Sequence, residues 1–182
     1  ACLPTKDLKD AVKGERDQSC QLYKGKHRHI RKNKLPTVPK SEVKFSFKYD
    51  IRLKNEEFVI LDVLDYIMDA RCMNKIREER GGTYSVTFST ETFLEGKMAE
   101  SSIAFQTRPE MTDILVADAQ ALMEEMAAEG PTEDEFENAR KYLAKHHMEL
   151  ADRYRNNLSR KLNQYVEKDK YGIDKQKDYP VI

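Results

Sequence analysis

Alternating hydrophobic and polar residues mark three strands in the middle of the chain. From residue 41 the apolar positions recur with a period of two, which predicts a strand with one buried face. These positions are Val43, Phe45, Phe47 and Tyr49. The segments 83–90 and 98–107 follow the same pattern, so we expect two further strands joined by a turn near Glu95-Gly96.

A longer period takes over between the first two of these strands. Apolar residues three and four apart predict a helix over residues 55–80, because such residues share one face of a helix. Asn55 is a candidate N-cap, and Gly81-Gly82 provides a helix stop and a turn. Cys72 lies on the apolar stripe, so we interpret it as a small core residue.

Helices also follow the last strand. One is predicted over residues 110–129 from its apolar stripe. Thr132 and Glu135 have the spacing of a capping box, which starts another helix whose apolar stripe extends to Tyr165. Asn156-Asn157 is a candidate break in this stripe.

This order of elements predicts an α+β fold in which helices pack on one face of a mainly antiparallel sheet. A length of 182 residues is typical of one domain with its own core. We expect a leading loop and edge strand over residues 1–40, a core domain over residues 41–168 and a loosely ordered tail over residues 169–182. Because the chain does not begin with Met, we expect it to be part of a longer protein.

Charge and composition argue against several kinds of partner. The 32 basic and 32 acidic side chains cancel, so no net field attracts nucleic acid or a membrane surface. No apolar run approaches the roughly 20 residues that span a bilayer. The basic run over residues 24–34 is interpreted as part of a solvated edge strand, with a nucleic-acid-binding arm as the alternative. Since the run lacks interleaved aromatic residues on which bases stack, we predict no nucleic acid partner.

The spacing of histidines and cysteines does not indicate a metal site. His27 and His29 have no carboxylate near them in sequence, and the three cysteines lack C-x-x-C spacing. His146, His147 and Glu149 do not complete an H-x-x-E-H motif, because the residue after the glutamate is not a histidine. His147 lies on the apolar stripe, so we interpret it as a packed core residue. We therefore expect neither a metal ion nor a self-sufficient active site in this chain.

One segment nevertheless carries a family signature. Residues 76–86, IREERGGTYSV, resemble a segment in the second half of the pitrilysin/insulinase zinc metallopeptidases (the inverzincins), where a helix ends in I-R-E-E-x-G-x-x-Y-S-V and turns directly into a strand. Residues 130–140 are similar to the entry of a long helix in that family, G-x-T-x-x-E-(L/F)-x-x-A-(K/R). Residues 1–5 and 39–47 resemble the small-Leu-Pro-Ser/Thr and P-x-S-x-V motifs of the same half. The resemblance covers most of residues 1–165.

The resemblance implies a division of labour between two homologous α+β halves that enclose a chamber. The first half binds zinc through H-x-x-E-H and a distal glutamate. This chain lacks that motif, so zinc is expected in the N-terminal half of the same or a partner chain. The second half supplies an arginine and a tyrosine seven residues apart, which match Arg77 and Tyr84. These two would bind the backbone of an unstructured peptide and the tetrahedral intermediate, with Gly82 and Ser85 as further substrate contacts.

Each of these assignments has a simpler alternative. Arg77 has Glu78 and Glu79 as candidate ion-pair partners. Plain alternation places Tyr84 on the same face as Val86, which predicts core packing unless a bulge after Gly82 turns the ring outward.

The resemblance bears on the whole chain as well. The sheet edge beyond Tyr84 is a candidate for binding an extended substrate by strand addition. The alternative for the whole chain is a non-catalytic structural or peptide-binding homologue of such a domain. We also expect the isolated piece to self-associate through surfaces meant for the other half. For a bacterial member, the family resemblance implies the periplasm or cell envelope.

Overall fold

The computed structural model describes residues 25–31, 39–153, 155 and 157–174. The expectations for the other residues lie outside this described part. They concern most of the leading segment, with Cys2, Cys20 and the motif in residues 1–5, and the tail beyond residue 174.

Three antiparallel strands form the sheet of the described residues. They are β1 (Ser41–Asp50), β2 (Thr83–Phe93) and β3 (Met98–Thr107). The order is β1-β3-β2, so β3 is central and the other two lie at the edges. The alternation read from the sequence is confirmed in β3, where Ala99, Ser101, Ile103 and Phe105 are all buried.

Four α-helices accompany the sheet in the described part of the chain. They are α1 (Asn55–Cys72), α2 (Thr112–Glu129), α3 (Glu133–Arg153) and α4 (Leu158–Tyr171). Helix α1 continues without a break into a π-helix, Met73–Glu79, and a 3-10 turn, Pro109–Met111, precedes α2. The α+β architecture is therefore confirmed. None of the described helices is both long enough and apolar enough to cross a membrane.

The main core lies between the sheet and the first two helices. Its buried side chains come from α1 and the π-helix (Met68, Cys72, Ile76), from the strands (Val86, Phe88, Ile103, Phe105) and from α2 (Leu115, Ala119, Leu122). Each large apolar side chain buried in this way contributes about 1.5–3 kcal/mol relative to exposure. The prediction for Cys72 is confirmed, and burial raises the pKa of its thiol to about 12, so the group stays protonated at neutral pH.

The sequence predicted the start of α3 correctly. The backbone N–H of Glu135 donates to the Thr132 hydroxyl at 3.3 Å, and the backbone N–H of Thr132 donates to the Glu135 carboxylate at 2.8 Å. This reciprocal pair is a capping box. Asn157 caps α4 by accepting a hydrogen bond from the backbone N–H of Arg160, which confirms a break in the long stripe.

The start of α1 and the segment after α4 are in contact, and both differ from what the sequence predicted. Asn55 is the first residue of α1 rather than its cap, and its side-chain oxygen accepts a hydrogen bond from the backbone N–H of Asp174 at 2.8 Å. Ile173 is buried in a second, smaller cluster with Ile51, Phe58, Leu61 and Ala99. Residues 169–171 thus complete α4, and Ile173 beyond the helix covers apolar side chains of α1 and β3.

The leading segment also differs from expectation where it is described. Residues 25–31 have no regular secondary structure and are exposed, so they do not form the expected edge strand. The Arg28 guanidinium lies 2.8 Å from the Asp113 carboxylate, and both side chains are exposed. The segment has no apolar alternation that could hold it against the sheet as a strand.

Candidate functional site

The π-helix sets the position of Arg77. A π-helical turn inside an α-helix is uncommon and often lies at a functional site. The Arg77 side chain is 43% exposed, and its Nε lies 3.6 Å from the Glu78 carboxylate. An exposed pair at that distance contributes little, at most about 1 kcal/mol. Its Nη1 also donates to the Met73 sulfur at 3.3 Å, so weak local contacts orient the guanidinium while solvent still reaches it.

The two glycines that follow have different reasons to be glycine. Gly81 has a φ of +61°, a left-handed conformation that residues with a Cβ adopt only at a cost. Gly82 is buried, and a Cβ added there would lie 3.0 Å from Leu115 Cδ1 and 3.3 Å from Met111 Cε. Gly81 therefore makes the turn, whereas Gly82 allows helix α2 to approach the backbone. We call residues 77–86 the glycine corner.

A β-bulge turns Tyr84 outward. Thr83 pairs with Thr107 and Val86 pairs with Phe105, so Tyr84 and Ser85 together stand opposite the single residue between those partners. The extra residue reverses the alternation, and Tyr84 is 90% exposed although Val86, two positions on, is buried. Core packing of Tyr84 is therefore wrong, and the alternative of a bulge after Gly82 is confirmed.

Two threonine hydroxyls hold the backbone of the corner. The Thr83 hydroxyl lies 2.8 Å from the Ser85 carbonyl oxygen and 2.6 Å from the Gln106 carbonyl oxygen. The Thr107 hydroxyl donates to the Gly82 carbonyl at 2.6 Å in a buried contact. The buried bond from Thr107 contributes about 0.5–1.5 kcal/mol, and the two hydroxyls together hold the bulge and the turn before it.

The candidate residues therefore fall into two groups. Arg77, Tyr84 and Ser85 have exposed side chains on the glycine corner. Gly82 is buried and its carbonyl is bonded within the protein, so its contribution is to the backbone path. The corner thus carries a guanidinium and a phenol, both hydrogen-bond donors, on either side of a rigid turn.

The edge of β2 beyond the bulge is occupied by α1. The backbone N–H of Phe88 donates to the Asp69 carboxylate at 2.9 Å, and that of Thr90 donates to the Asp65 carboxylate at 3.0 Å. Strand addition needs free backbone N–H groups at the edge. The expected addition of an extended substrate beyond Tyr84 is therefore wrong for this part of the edge, because α1 already satisfies those donors.

Asp65 also ends a chain of hydroxyl groups that runs across the sheet. The hydroxyls of Tyr49 and Ser101 lie 2.8 Å apart, and those of Ser101 and Thr90 lie 2.7 Å apart. The Thr90 hydroxyl donates to the Asp65 carboxylate at 2.6 Å. Burial is the main cause that raises the pKa of Asp65, and the nearby charge of Asp69 adds to it. Sequence reasoning missed this network, whose only sequence signal is the four-residue spacing of the two aspartates.

The histidines give no metal centre in the described part of the chain. No three His, Cys, Asp or Glu side chains among those residues come together in a way that could hold a metal ion. The His146 ring stacks on Tyr142, which in turn stacks on Tyr66 of α1. His147 is half-buried rather than part of the core. Burial lowers its pKa, and the charges of His146 and Arg160 act in the same direction.

Comparison with known proteins shows the origin of this architecture. A family model described as the peptidase M16 inactive domain matches residues 6–143. No curated protein sequence gave a significant match. The structure is similar to that of the periplasmic protease PqqL from Escherichia coli, with a TM-score of 0.61 and 23% identity, covering 79% of this chain and 15% of that one.

Two further solved structures share the fold. One is a peptidase M16 inactive domain from Pseudomonas fluorescens, with a TM-score of 0.53 and 23% identity, covering 59% of this chain and 26% of that one. The other is the ferredoxin protease FusC in complex with Arabidopsis ferredoxin, with a TM-score of 0.61 and 12% identity, covering 79% and 15%. The chain thus spans only about a seventh to a quarter of these proteins. Because the family model matches most of its length, the chain belongs to the peptidase M16 family, whose inactive domain it contains.

Proposed function

We propose that this chain is the substrate-binding C-terminal domain of a zinc metallopeptidase. In this proposal Arg77 and Tyr84 bind the peptide backbone and stabilise the negative charge of the tetrahedral intermediate. The observation that carries the proposal is the bulge, which exposes 90% of Tyr84 on a strand whose alternation would otherwise bury it. A large aromatic side chain held in solvent by a backbone irregularity packs against little of its own domain, and bulges often re-aim a side chain next to an active site.

The rigidity of the glycine corner supports a role in charge stabilisation. Hydrogen-bond donors stabilise a developing oxyanion best when they are already in place before the reaction. Arg77 is near the end of the π-helix, and Tyr84 follows the turn that the Thr107 hydroxyl holds at Gly82. Arg77 is therefore carried by helical backbone, and Tyr84 by a strand that begins at a hydrogen-bonded turn. Ser85 lies next to Tyr84 on the bulge and is exposed, which makes it a further substrate contact in the proposal.

The zinc ion of the proposal lies in another part of the parent protein. The described residues contain no ligand set for it, and the family match is to an inactive domain. We assign zinc to an N-terminal half, in the same or a partner chain, that faces the glycine corner. The isolated chain would then bind peptide without cleaving it.

The test is turnover by the parent protein carrying single substitutions in this domain. Arg77→Ala and Tyr84→Phe should each lower kcat/KM by about 100-fold, the usual cost of losing an oxyanion donor, without unfolding the protein. Arg140→Ala is the control for the first, since that side chain is similarly exposed and also pairs with a nearby glutamate. Tyr142→Phe is the control for the second, because Tyr142 is an exposed tyrosine on α3, away from the glycine corner in sequence. Unchanged turnover in both test variants would remove the proposed role.

A non-catalytic homologue is the second candidate, because the match to an inactive domain and the lack of a metal-ligand cluster among the described residues fit it equally well. In that case the domain captures peptides or supports assembly. Substitutions of Arg77 and Tyr84 would then change peptide affinity, while the parent protein would show no turnover in any complex. The turnover of the unsubstituted parent protein distinguishes the two candidates.

The partners and the compartment follow from the same proposal. Helix α4 exposes one apolar face to solvent, formed by Leu158, Leu162, Tyr165 and Val166. Exposed apolar patches of this kind mark interaction surfaces, and we propose that the isolated chain self-associates through this face. We also propose a periplasmic location, supported by the similarity to a periplasmic protease.

A further inference from the structure

We propose that Asp118 is a positioning residue for the glycine corner, acting through Arg80. This inference rests on the proposed function of Arg77 and Tyr84. In this inference, neither Asp118 nor Arg80 contacts the substrate. Their role is to hold the corner so that the guanidinium and the phenol keep one fixed relation to each other.

One face of the segment formed by the 3-10 turn and α2 contacts the glycine corner. Met111, Leu115 and Asp118 are spaced four and three residues apart, which places them on one side of the helix. The first two pack on Gly82. Asp118 accepts two hydrogen bonds from Arg80, at 2.7 Å from Nε and 3.0 Å from Nη2. The same helix face therefore holds the residue before Gly81 and the residue after it.

The geometry of the Arg80–Asp118 ion pair restrains the position of Arg80. The two parallel bonds fix the orientation of the guanidinium as well as its distance. The Asp118 side chain is only 12% exposed, while Arg80 is about half exposed. Lys75 also forms an ion pair near the corner, but its partner, Glu79, lies in the same π-helix. Of the described ion pairs that involve residues 75–80, only the Arg80–Asp118 pair connects the corner to α2.

Gly81 is the reason that a restraint is needed. It has no Cβ, and nothing lies within 4 Å of the place where one would stand. The backbone can therefore rotate at this residue more freely than at a residue that carries a Cβ. Arg77 lies on the helical side of Gly81 and Tyr84 on the strand side, so rotation there would change their separation. Anchoring both flanks of Gly81 to one helix removes that freedom.

The experiment is Asp118→Asn in the parent protein, which keeps the side-chain shape and removes the charge. We expect kcat to fall by about tenfold or more with KM nearly unchanged, since misplacing a catalytic group by about 1 Å can cost up to about 100-fold. The thermal midpoint should stay close to that of the unsubstituted protein. The double variant Arg80→Asp with Asp118→Arg reverses the pair and should recover most of the lost kcat. Glu137→Gln is the control, because it breaks an Arg–Glu pair on α3.

The outcomes separate this inference from the proposed function. If Arg77→Ala and Tyr84→Phe lower kcat/KM but Asp118→Asn leaves kcat unchanged, the positioning role is overturned and the proposed function stands. If none of the three variants lowers kcat/KM, the proposed function fails and the positioning role fails with it. A loss of kcat in Asp118→Asn that merely follows a fall in thermal midpoint, without recovery in the reversed pair, also overturns the positioning role.

Discussion

Replacing Glu135 by Gln should weaken the contacts between α1 and the turn that connects α2 to α3, and so destabilise the fold. The Arg71 guanidinium donates to both Glu135 oxygens, at 2.7 and 2.8 Å, and to the Gly130 carbonyl at 3.2 Å. The same carboxylate closes the capping box of α3 through Thr132. One side chain thus connects three elements, and the Arg71 side chain is only 13% exposed.

The magnitude follows from the pKa of Glu135. The hydrogen bonds from Arg71 are the main cause that lowers this pKa to about 2, against an ordinary value of 4.5. A difference of about 2.5 units corresponds to about 3 kcal/mol. Because the Glu135 side chain is 30% exposed, solvent screening reduces this to about 2 kcal/mol. The pKa is lower in the folded state, so this stability is present above about pH 4.5 and is lost as the pH falls from there towards 2.

The assay is urea unfolding of the original chain and of Glu135→Gln, followed by circular dichroism at about pH 7 and about pH 3. At the higher pH the variant should be less stable by about 2 kcal/mol, because Arg71 loses its main charged partner and keeps the longer ion pair with Glu125 and the hydrogen bond to the Gly130 carbonyl. At the lower pH the two stabilities should approach each other. Glu137→Gln, which breaks a more exposed pair, is the control and should change little. An equal pH dependence in the original chain and in Glu135→Gln would refute the reasoning.

Two further predictions concern the glycine corner and α4. Gly82→Ala should lower the free energy of unfolding by about 1–3 kcal/mol in urea titrations, because its methyl group would lie 3.0 Å from Leu115 Cδ1; an unchanged midpoint would show that α2 can move away freely. Leu162→Glu places a charge on the exposed apolar face of α4 and should shift the isolated chain towards monomer in sedimentation velocity, whereas a distribution equal to that of the original chain would exclude this face as the contact.

Local patterns were sufficient to predict most of the elements. The period of two predicted the three strands, and the capping residues Thr132 and Glu135 gave the start of α3. The Gly81-Gly82 stop was predicted correctly because it depends on the conformational freedom of glycine itself. The signals for these features come from residues close together in sequence, so no distant contact is needed to recognise them.

The features that decide the exposure of the candidate site are not local. The bulge at Tyr84 depends on the register with β3 and on bonds from Thr83 and Thr107, which the alternation of β2 alone does not show. The closure of the β2 edge depends on Asp65 and Asp69 from another element. The sequence motif drew attention to Arg77 and Tyr84, but only the paired strands show that the tyrosine faces solvent.

Contact between the glycine corner and a peptide is the central claim. It is tested most directly by the fluorescence anisotropy of fluorescein-labelled peptides from a casein digest, titrated with the 182-residue chain. Tyr84→Phe should weaken the affinity by about tenfold, which corresponds to the roughly 1.4 kcal/mol of one hydrogen bond. Tyr142→Phe, which removes the hydroxyl of an exposed tyrosine on α3, should leave the affinity unchanged. Equal affinities for Tyr84→Phe and the original chain would contradict the claim that this phenol binds the substrate.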